Sequence, residues 1–72
     1  MTANRIIELM NRAPYSPLEI HLSDGTTIQV ENPYDIAARP NSSDITIFEQ
    51  DRWRFVACRN ITEVITLSSN GS

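Results

Sequence analysis

His21 and Cys58 are the single histidine and the single cysteine of this chain, and a thiol beside an imidazole is the smallest nucleophile-and-base pair a protein can build. Such a pair needs a third group to orient the base and an oxyanion hole to hold developing charge. No stretch around either residue offers them. The same two residues fall short of the four ligands a structural zinc ion takes. The carboxylates Glu8, Glu19, Asp24, Glu31, Asp35, Asp44, Glu49, Asp51 and Glu63 are scattered along the chain. Asp24 and Asp44 sit among turn formers, and no two carboxylates share the spacing and apolar setting of an acid/base dyad. These residues predict no catalytic group, no bound metal and no cofactor. A different chemistry is offered by Arg52-Trp53-Arg54-Phe55 with Arg59 nearby. Guanidinium groups contact phosphates, and an exposed aromatic ring stacks on a base.

The same stretch has a plainer reading. Trp53, Phe55 and Ala57 alternate with Arg54, Val56 and Cys58, which is the period of a half-buried strand. That alternation predicts Trp53 and Phe55 in the core, with Arg54 outside and paired to Glu49 or Asp51. Net charge favours the plainer version. The chain carries −3 and no lysine, all six cations being arginine, whereas a nucleic-acid binder normally presents a positive field.

The element that must hold these residues is set by the hairpin Leu18-Glu19-Ile20-His21-Leu22-Ser23-Asp24-Gly25-Thr26-Thr27-Ile28-Gln29-Val30. A two-residue turn at Asp24-Gly25 would set Leu22 against Thr27 and Ile20 against Gln29, and a one-residue slip turns every side chain to the wrong face. A three-residue loop, Ser23-Asp24-Gly25, instead pairs Leu22 with Thr26, Ile20 with Ile28 and Leu18 with Val30. One face is then apolar, and Glu19, His21, Thr27 and Gln29 share the other. That loop ends in a left-handed residue, the place for Gly25. A phosphate-cradling loop would need more glycines and a following helix.

Around the hairpin, Thr2 is expected to cap a short helix bearing Ile6, Ile7, Leu9 and Met10, stopped by Arg12 or Ala13 ahead of Pro14. Tyr15 is expected where helix meets sheet. Tyr34, Ile36 and Ala38 alternate as a continued or separate strand, Arg39 to Asp44 reads as a loop, and Ile45 and Ile47 share one face of the next strand. Ile61 and Val64, three apart, suggest a tight helical turn leading into a last strand. The expected architecture is mainly β: an N-terminal α-helix followed by a five-stranded, strongly bent antiparallel small barrel. Residues 1–67 would form one domain, with 68–72 a flexible tail.

Seventy-two residues bury only about 60% of their unfolded surface, and chains of this size usually add disulfides, a metal or a partner subunit. One cysteine excludes an intramolecular disulfide, which leaves self-association or an economical barrel. No apolar run approaches the roughly 20 residues of a membrane span and no leader pattern is evident, so the expectation is a cytoplasmic protein without a membrane partner. The Asn-x-Ser/Thr triplets at Asn41, Asn60 and Asn70 are then chance.

The outline Pro-aromatic-x-Pro, Ile-x-Leu-x-Asp-Gly, Pro-x-x-Ile-Ala and a closing Ile-x-x-Val, covering most of residues 5–67, resembles a group of short bacterial proteins without an assigned activity. More distantly, the order helix, strand, Gly hairpin, bent second strand, two further strands, tight turn and last strand resembles the Sm-like barrels, which include the bacterial RNA chaperone Hfq. "IHLSDGTTIQV" would match the first Sm motif and "CRNITEV" the second. The resemblance implies ring-forming oligomers joined through their last two strands, with RNA around a central pore. The chain departs from the pattern at Val30, where the first motif usually has a second glycine, and at Ala57-Cys58-Arg59-Asn60, where the Tyr-Lys-His-Ala signature of Hfq would fall without its lysine or histidine. Arg59-Asn60 is loosely similar to the Arg-Gly of other Sm proteins, so Arg59 alone carries over. Fold similarity does not transfer function.

Two functional expectations follow. The first is a non-enzymatic interaction module whose partner is a second copy or another protein, paired through exposed strand edges at residues 54–58 and 63–67, with Val56, Cys58, Val64 and Ile65 at the contact. The second is an RNA-binding protein using Arg52, Arg54 and Arg59. The placement of Trp53 separates them: buried, it is core; facing solvent beside the arginines, it favours RNA.

Overall fold

The computed structural model describes residues 3–67; the expected Thr2 cap and the tail expected over 68–72 lie outside them. Helix α1 spans Asn4–Met10 and ends before Pro14, within the limit set by that proline. Its Ile6 and Leu9 are buried, and Ile7 and Met10 pack partly against the same cluster. The start of α1 is tied to the loop ahead of β4. Asn41 N–H donates to Asn4 Oδ1 at 2.7 Å, Asn4 Nδ2 donates to Asn41 Oδ1 at 2.9 Å, and Ala3 N–H donates to the Ser42 carbonyl at 3.1 Å.

Six strands follow: β1 (Leu18–Leu22), β2 (Thr27–Val30), β3 (Ile36–Ala38), β4 (Asp44–Glu49), β5 (Arg52–Ala57) and β6 (Ile61–Thr66). They form two antiparallel three-stranded sheets, ordered β2-β1-β6 and β3-β4-β5. The mainly β expectation with one N-terminal helix therefore holds. The strands number six rather than five, and among the described residues no strand pairing closes the two sheets into a cylinder. The extra strand comes from Pro33-Tyr34-Asp35, a 3-10 turn that interrupts what would have been one long bent strand. Proline has no N–H to give a ladder and its fixed φ suits the first position of a helical turn. Tyr34 consequently stands 88% exposed on this corner instead of sharing a face with Ile36 and Ala38.

The β1–β2 hairpin has the expected register. Leu18 faces Val30 and Ile20 faces Ile28, while Leu22 N–H donates to the Thr26 carbonyl at 2.8 Å. Gly25 takes φ +93°. An added Cβ there would meet nothing within 4 Å, so the demand for glycine is one of backbone conformation alone. Asp24 Oδ1 accepts the Thr26 N–H at 2.9 Å and closes the loop.

The last strand departs from expectation. The tight turn occupies Cys58–Asn60, and Ile61 already lies in β6. Leu22 pairs with Ile61 but His21 pairs with Glu63, a β-bulge that inserts Thr62. One inserted residue moves the inward positions from a spacing of two to a spacing of three. Ile61 and Val64 both contact the core for that reason, not because they share a helical turn.

A single buried cluster joins α1 to both sheets. Leu18, Ile20, Ile28 and Val30 contribute from one sheet, Ile36, Ile45, Ile47 and Val56 from the other, with Ile6 and Leu9 from α1. No polar or charged residue is buried among the described residues. Tyr15 lies at the junction of helix and sheet as expected, its hydroxyl donating to the Val30 carbonyl at 2.9 Å. Among the described residues no helix is long and apolar enough to cross a membrane.

Backbone conformation makes these turns testable. Gly25→Ala is expected to lower stability by about 1–2 kcal/mol, the cost of a Cβ in the left-handed region. Asp51 occupies φ +64°, so Asp51→Gly should act in the opposite sense, by about 0.5–1 kcal/mol. Urea midpoints at unchanged slope measure both; coincident midpoints for Gly25→Ala and the parent would remove the assignment.

Candidate interaction surface

The β4–β5 hairpin sets the surface of the second sheet. Its loop is Gln50-Asp51, with φ +49° and +64°, both in the region that a type I′ hairpin turn requires. Two loop residues put Glu49 opposite Arg52, Phe48 opposite Trp53, Ile47 opposite Arg54, Thr46 opposite Phe55 and Ile45 opposite Val56. Directly opposed side chains share a face. Since Ile45 and Ile47 are buried, Val56 and Arg54 must point inward, and Phe48, Trp53 and Phe55 must point out.

They do. Trp53 is 56% exposed, Phe55 79% and Phe48 37%. The expectation that Trp53 and Phe55 fill the core is therefore corrected: the alternation is right and its phase is reversed. The Phe48 and Trp53 rings contact each other with centroids 4.9 Å apart and planes tilted by 60°, an arrangement their quadrupoles favour. Arg54, on the inner side near the hairpin tip, is neutralised by Glu49, to which its Nε donates. The pairing foreseen for Arg54 is present, but on the opposite face from the one expected.

The three arginines of the RNA expectation are thus not gathered on the aromatic face. Arg52 is exposed at the hairpin tip, Arg54 is half-buried in its ion pair, and Arg59 is exposed on the 3-10 turn beyond the other end of β5. A six-residue strand separates its ends by roughly 17 Å. Trp53 faces solvent, as that reading requires, without a cationic cluster beside it.

The backbone of β5 offers something else. β5 pairs with β4 alone, so one edge is unpaired among the described residues. Cys58 N–H donates to the Ser43 carbonyl at 2.8 Å, which places residues 52, 54 and 56 in the hydrogen-bonded pairs with β4. The N–H and C=O groups of Trp53, Phe55 and Ala57 therefore point to the free edge. A cleft of about 270 Å³ lies beside it, bounded by Ser23, Asp24 and Asn60 across from Phe55. β6 is likewise an edge strand. Leu67 N–H donates to the Pro17 carbonyl, so the backbone groups of Val64 and Thr66 face away from β1.

The four side chains expected at an oligomer contact divide in two. Val56 and Cys58 belong to the core of the chain itself, whereas Val64 and Ile65 are half-buried on β6. Among the described residues β5 and β6 each lie at a sheet edge, but Cys58 of the expected 54–58 edge belongs to the 3-10 turn and its N–H is taken by the Ser43 carbonyl. The exposed apolar side chains next to them are Trp53 and Phe55.

His21 and Cys58 are not brought together. His21 lies on the outer face of the first sheet, 2.8 Å from Glu19 Oε1, while Cys58 faces the core. Burial pushes the Cys58 thiol above its ordinary value, which keeps it protonated and unreactive. Among the described residues no three of His, Cys, Asp and Glu form a group that could hold a metal ion. The carboxyl of Glu19 is held below its ordinary value by hydrogen bonds from His21 and Gln29, and that of Asp24 by the hydrogen bonds of Thr26. No family model, curated protein or solved structure matches the chain.

Two measurements check this picture. Cys58 should react with a maleimide far more slowly in buffer than in denaturant, and equal rates would place the thiol outside the core. Folded carboxyls below their ordinary values add stability at neutral pH that disappears as pH falls through the ordinary carboxylate range. Acid unfolding of Glu19→Gln and Asp24→Asn should accordingly show a shallower loss of stability with falling pH than the parent; superimposable curves would contradict the assigned bonds.

Proposed function

We propose that this protein is a non-enzymatic interaction module that self-associates by pairing the free edge of β5 with a strand of a second copy. The observation that carries the reading is the edge itself: three residues with outward backbone donors and acceptors, on a six-residue strand without proline, whose inward Arg54 is neutralised by Glu49. The exposed rings of Trp53 and Phe55 flank that edge on the outer face of the sheet, which an added strand would extend. β6 supplies a second unpaired strand, so a β5-to-β6 contact repeated head to tail is the natural assembly. That geometry is the one the Sm-like resemblance implies, and the two open sheets of this chain would complete their barrel-like ring of strands by it. Neither His21 on the outer face nor the buried Cys58 plays a part in the proposal.

RNA binding is the second reading, favoured by one observation, the solvent-facing ring of Trp53. Against it stand the dispersed arginines, the neutralised Arg54 and the acidic balance of the chain. An apolar surface next to unpaired backbone suits a protein strand better than a polyphosphate.

Phe55→Pro separates edge pairing from side-chain stickiness. The Phe55 N–H points away from β4, so proline removes no internal ladder bond and is tolerated as on other edge strands. Light scattering should show the parent and Phe55→Ala associating with rising concentration, and Phe55→Pro remaining monomeric. A parent that is strictly monomeric at high micromolar concentration, or a Phe55→Pro variant that assembles like the parent, would defeat the proposal.

A further inference from the structure

The outer face of the β3-β4-β5 sheet is separate from its edge, and its chemistry is unusual for a surface. Ala37, Asp44, Thr46, Phe48, Trp53, Phe55 and Ala57 occupy it. Asp44, at the end away from the hairpin tip, is the one charged side chain among them and is acidic, and the three rings form a row: Phe48 touches Trp53, and Phe55 follows two residues along the same face. Contiguous exposed aromatics of this kind mark a contact with another molecule rather than ordinary surface.

What borders the row identifies the occupant. Phe48 also forms a wall of a shallow groove of about 570 Å³ that runs between the hairpin tip and β2. Glu31, Asp35, Glu49 and Asp51 line it, and no arginine or histidine is among its lining residues. Glu49 is spoken for by Arg54; Glu31, Asp35 and Asp51 have no ion-pair partner among the described residues. The aromatic row thus opens at one end onto uncompensated negative charge. A second copy laid face to face would bring two such acidic borders together, and a nucleic acid would bring phosphates to them. Both arrangements are electrostatically opposed. A guanidinium or ammonium group is attracted twice, by the carboxylates and by the negative faces of the Phe48 and Trp53 rings.

We infer that this face docks a cationic protein segment, one in which arginine or lysine alternates with apolar residues. The apolar side chains of such a segment cover Trp53 and Phe55, and its cations reach the groove at Glu31, Asp35 and Asp51. The inference does not depend on self-association through the β5 edge, because it concerns outward side chains and acidic residues that edge pairing leaves untouched.

Trp53 is the only tryptophan in the chain, so its emission reports on the face directly. Titration of the full chain with an extended peptide alternating arginine and valine should give a saturable change in that emission. The matching peptide alternating glutamate and valine should give none. The double variant Glu31→Gln/Asp51→Asn keeps the shape of the groove and removes charge, and should weaken binding of the arginine peptide at least about tenfold, the effect expected of charges worth about 1.4 kcal/mol together. A parallel titration with oligouridylate should leave the emission unchanged. Equal binding of both peptides, an undiminished affinity in the double variant, the absence of saturation with the arginine peptide, or a saturable response to oligouridylate would each overturn the inference.

Discussion

Turn parity is the constraint on which this structure depends. Each sheet has one face in a shared core, so both strands of every hairpin must bring their apolar rows to the same side. The number of residues in the connecting loop decides whether they can. Three residues at Ser23-Asp24-Gly25 align Leu18 and Ile20 with Val30 and Ile28. Two residues at Gln50-Asp51 align Ile45 and Ile47 with Val56 and Arg54. The first solution uses one left-handed residue, which glycine occupies without strain. The second needs two, and neither is glycine. The molecule tolerates that backbone cost at the hairpin tip because the alternative register would withdraw Val56 from the core.

The same parity puts an arginine inside and aromatic rings outside. Arg54 reaches an inner position close enough to the hairpin tip for its side chain to stay about one-third exposed and to find Glu49. Deeper in the sheet the charge would be costly to desolvate. The rings cannot be exchanged with it, since a one-residue shift of β5 would move Val56 and Cys58 out as it moved Trp53 and Phe55 in. The largest apolar side chains of the chain are thus excluded from its core by geometry, which leaves them available to partners.

Much of this was legible in the residues. The alternation of Leu18 to Leu22 against Thr26 to Val30, together with an odd loop ending in glycine, determined the first hairpin. The same counting applied to Glu49-Gln50-Asp51-Arg52 would have given the second. Any even loop centred there sets Phe48 against Trp53, and with Ile45 and Ile47 inside, Trp53 must be outside. Size and hydrophobicity argue for burying tryptophan, and in this hairpin register outweighs them. The β-bulge at Thr62 was not legible, because an apolar spacing of three is shared by a bulged strand and a helical turn. The break at Pro33 could be suspected from proline but not placed, since Tyr34 continues the alternation of Ile36 and Ala38 without a gap. His21 and Cys58 show the limit on the chemical side: their face assignments depend on register, and the reversed phase of β5 carries Cys58 into the core while His21 stays on the outer face of the other sheet.

A chain with so small a core and four sheet edges has to deal with unpaired backbone somewhere. β2 and β3 are short, at four and three residues, and short edges offer little to a partner. β5 and β6 have six residues each and no proline. β6 carries exposed Thr62 and Glu63 among its outward residues, whereas β5 carries Trp53 and Phe55. The edges that could have been blunted were kept long, and the longest apolar exposure lies beside one of them. Backbone pairing is indifferent to the sequence of the incoming strand, so an edge alone would accept many partners. The aromatic row and its acidic border add what the edge lacks, a dependence on the side chains and charge of whatever is bound.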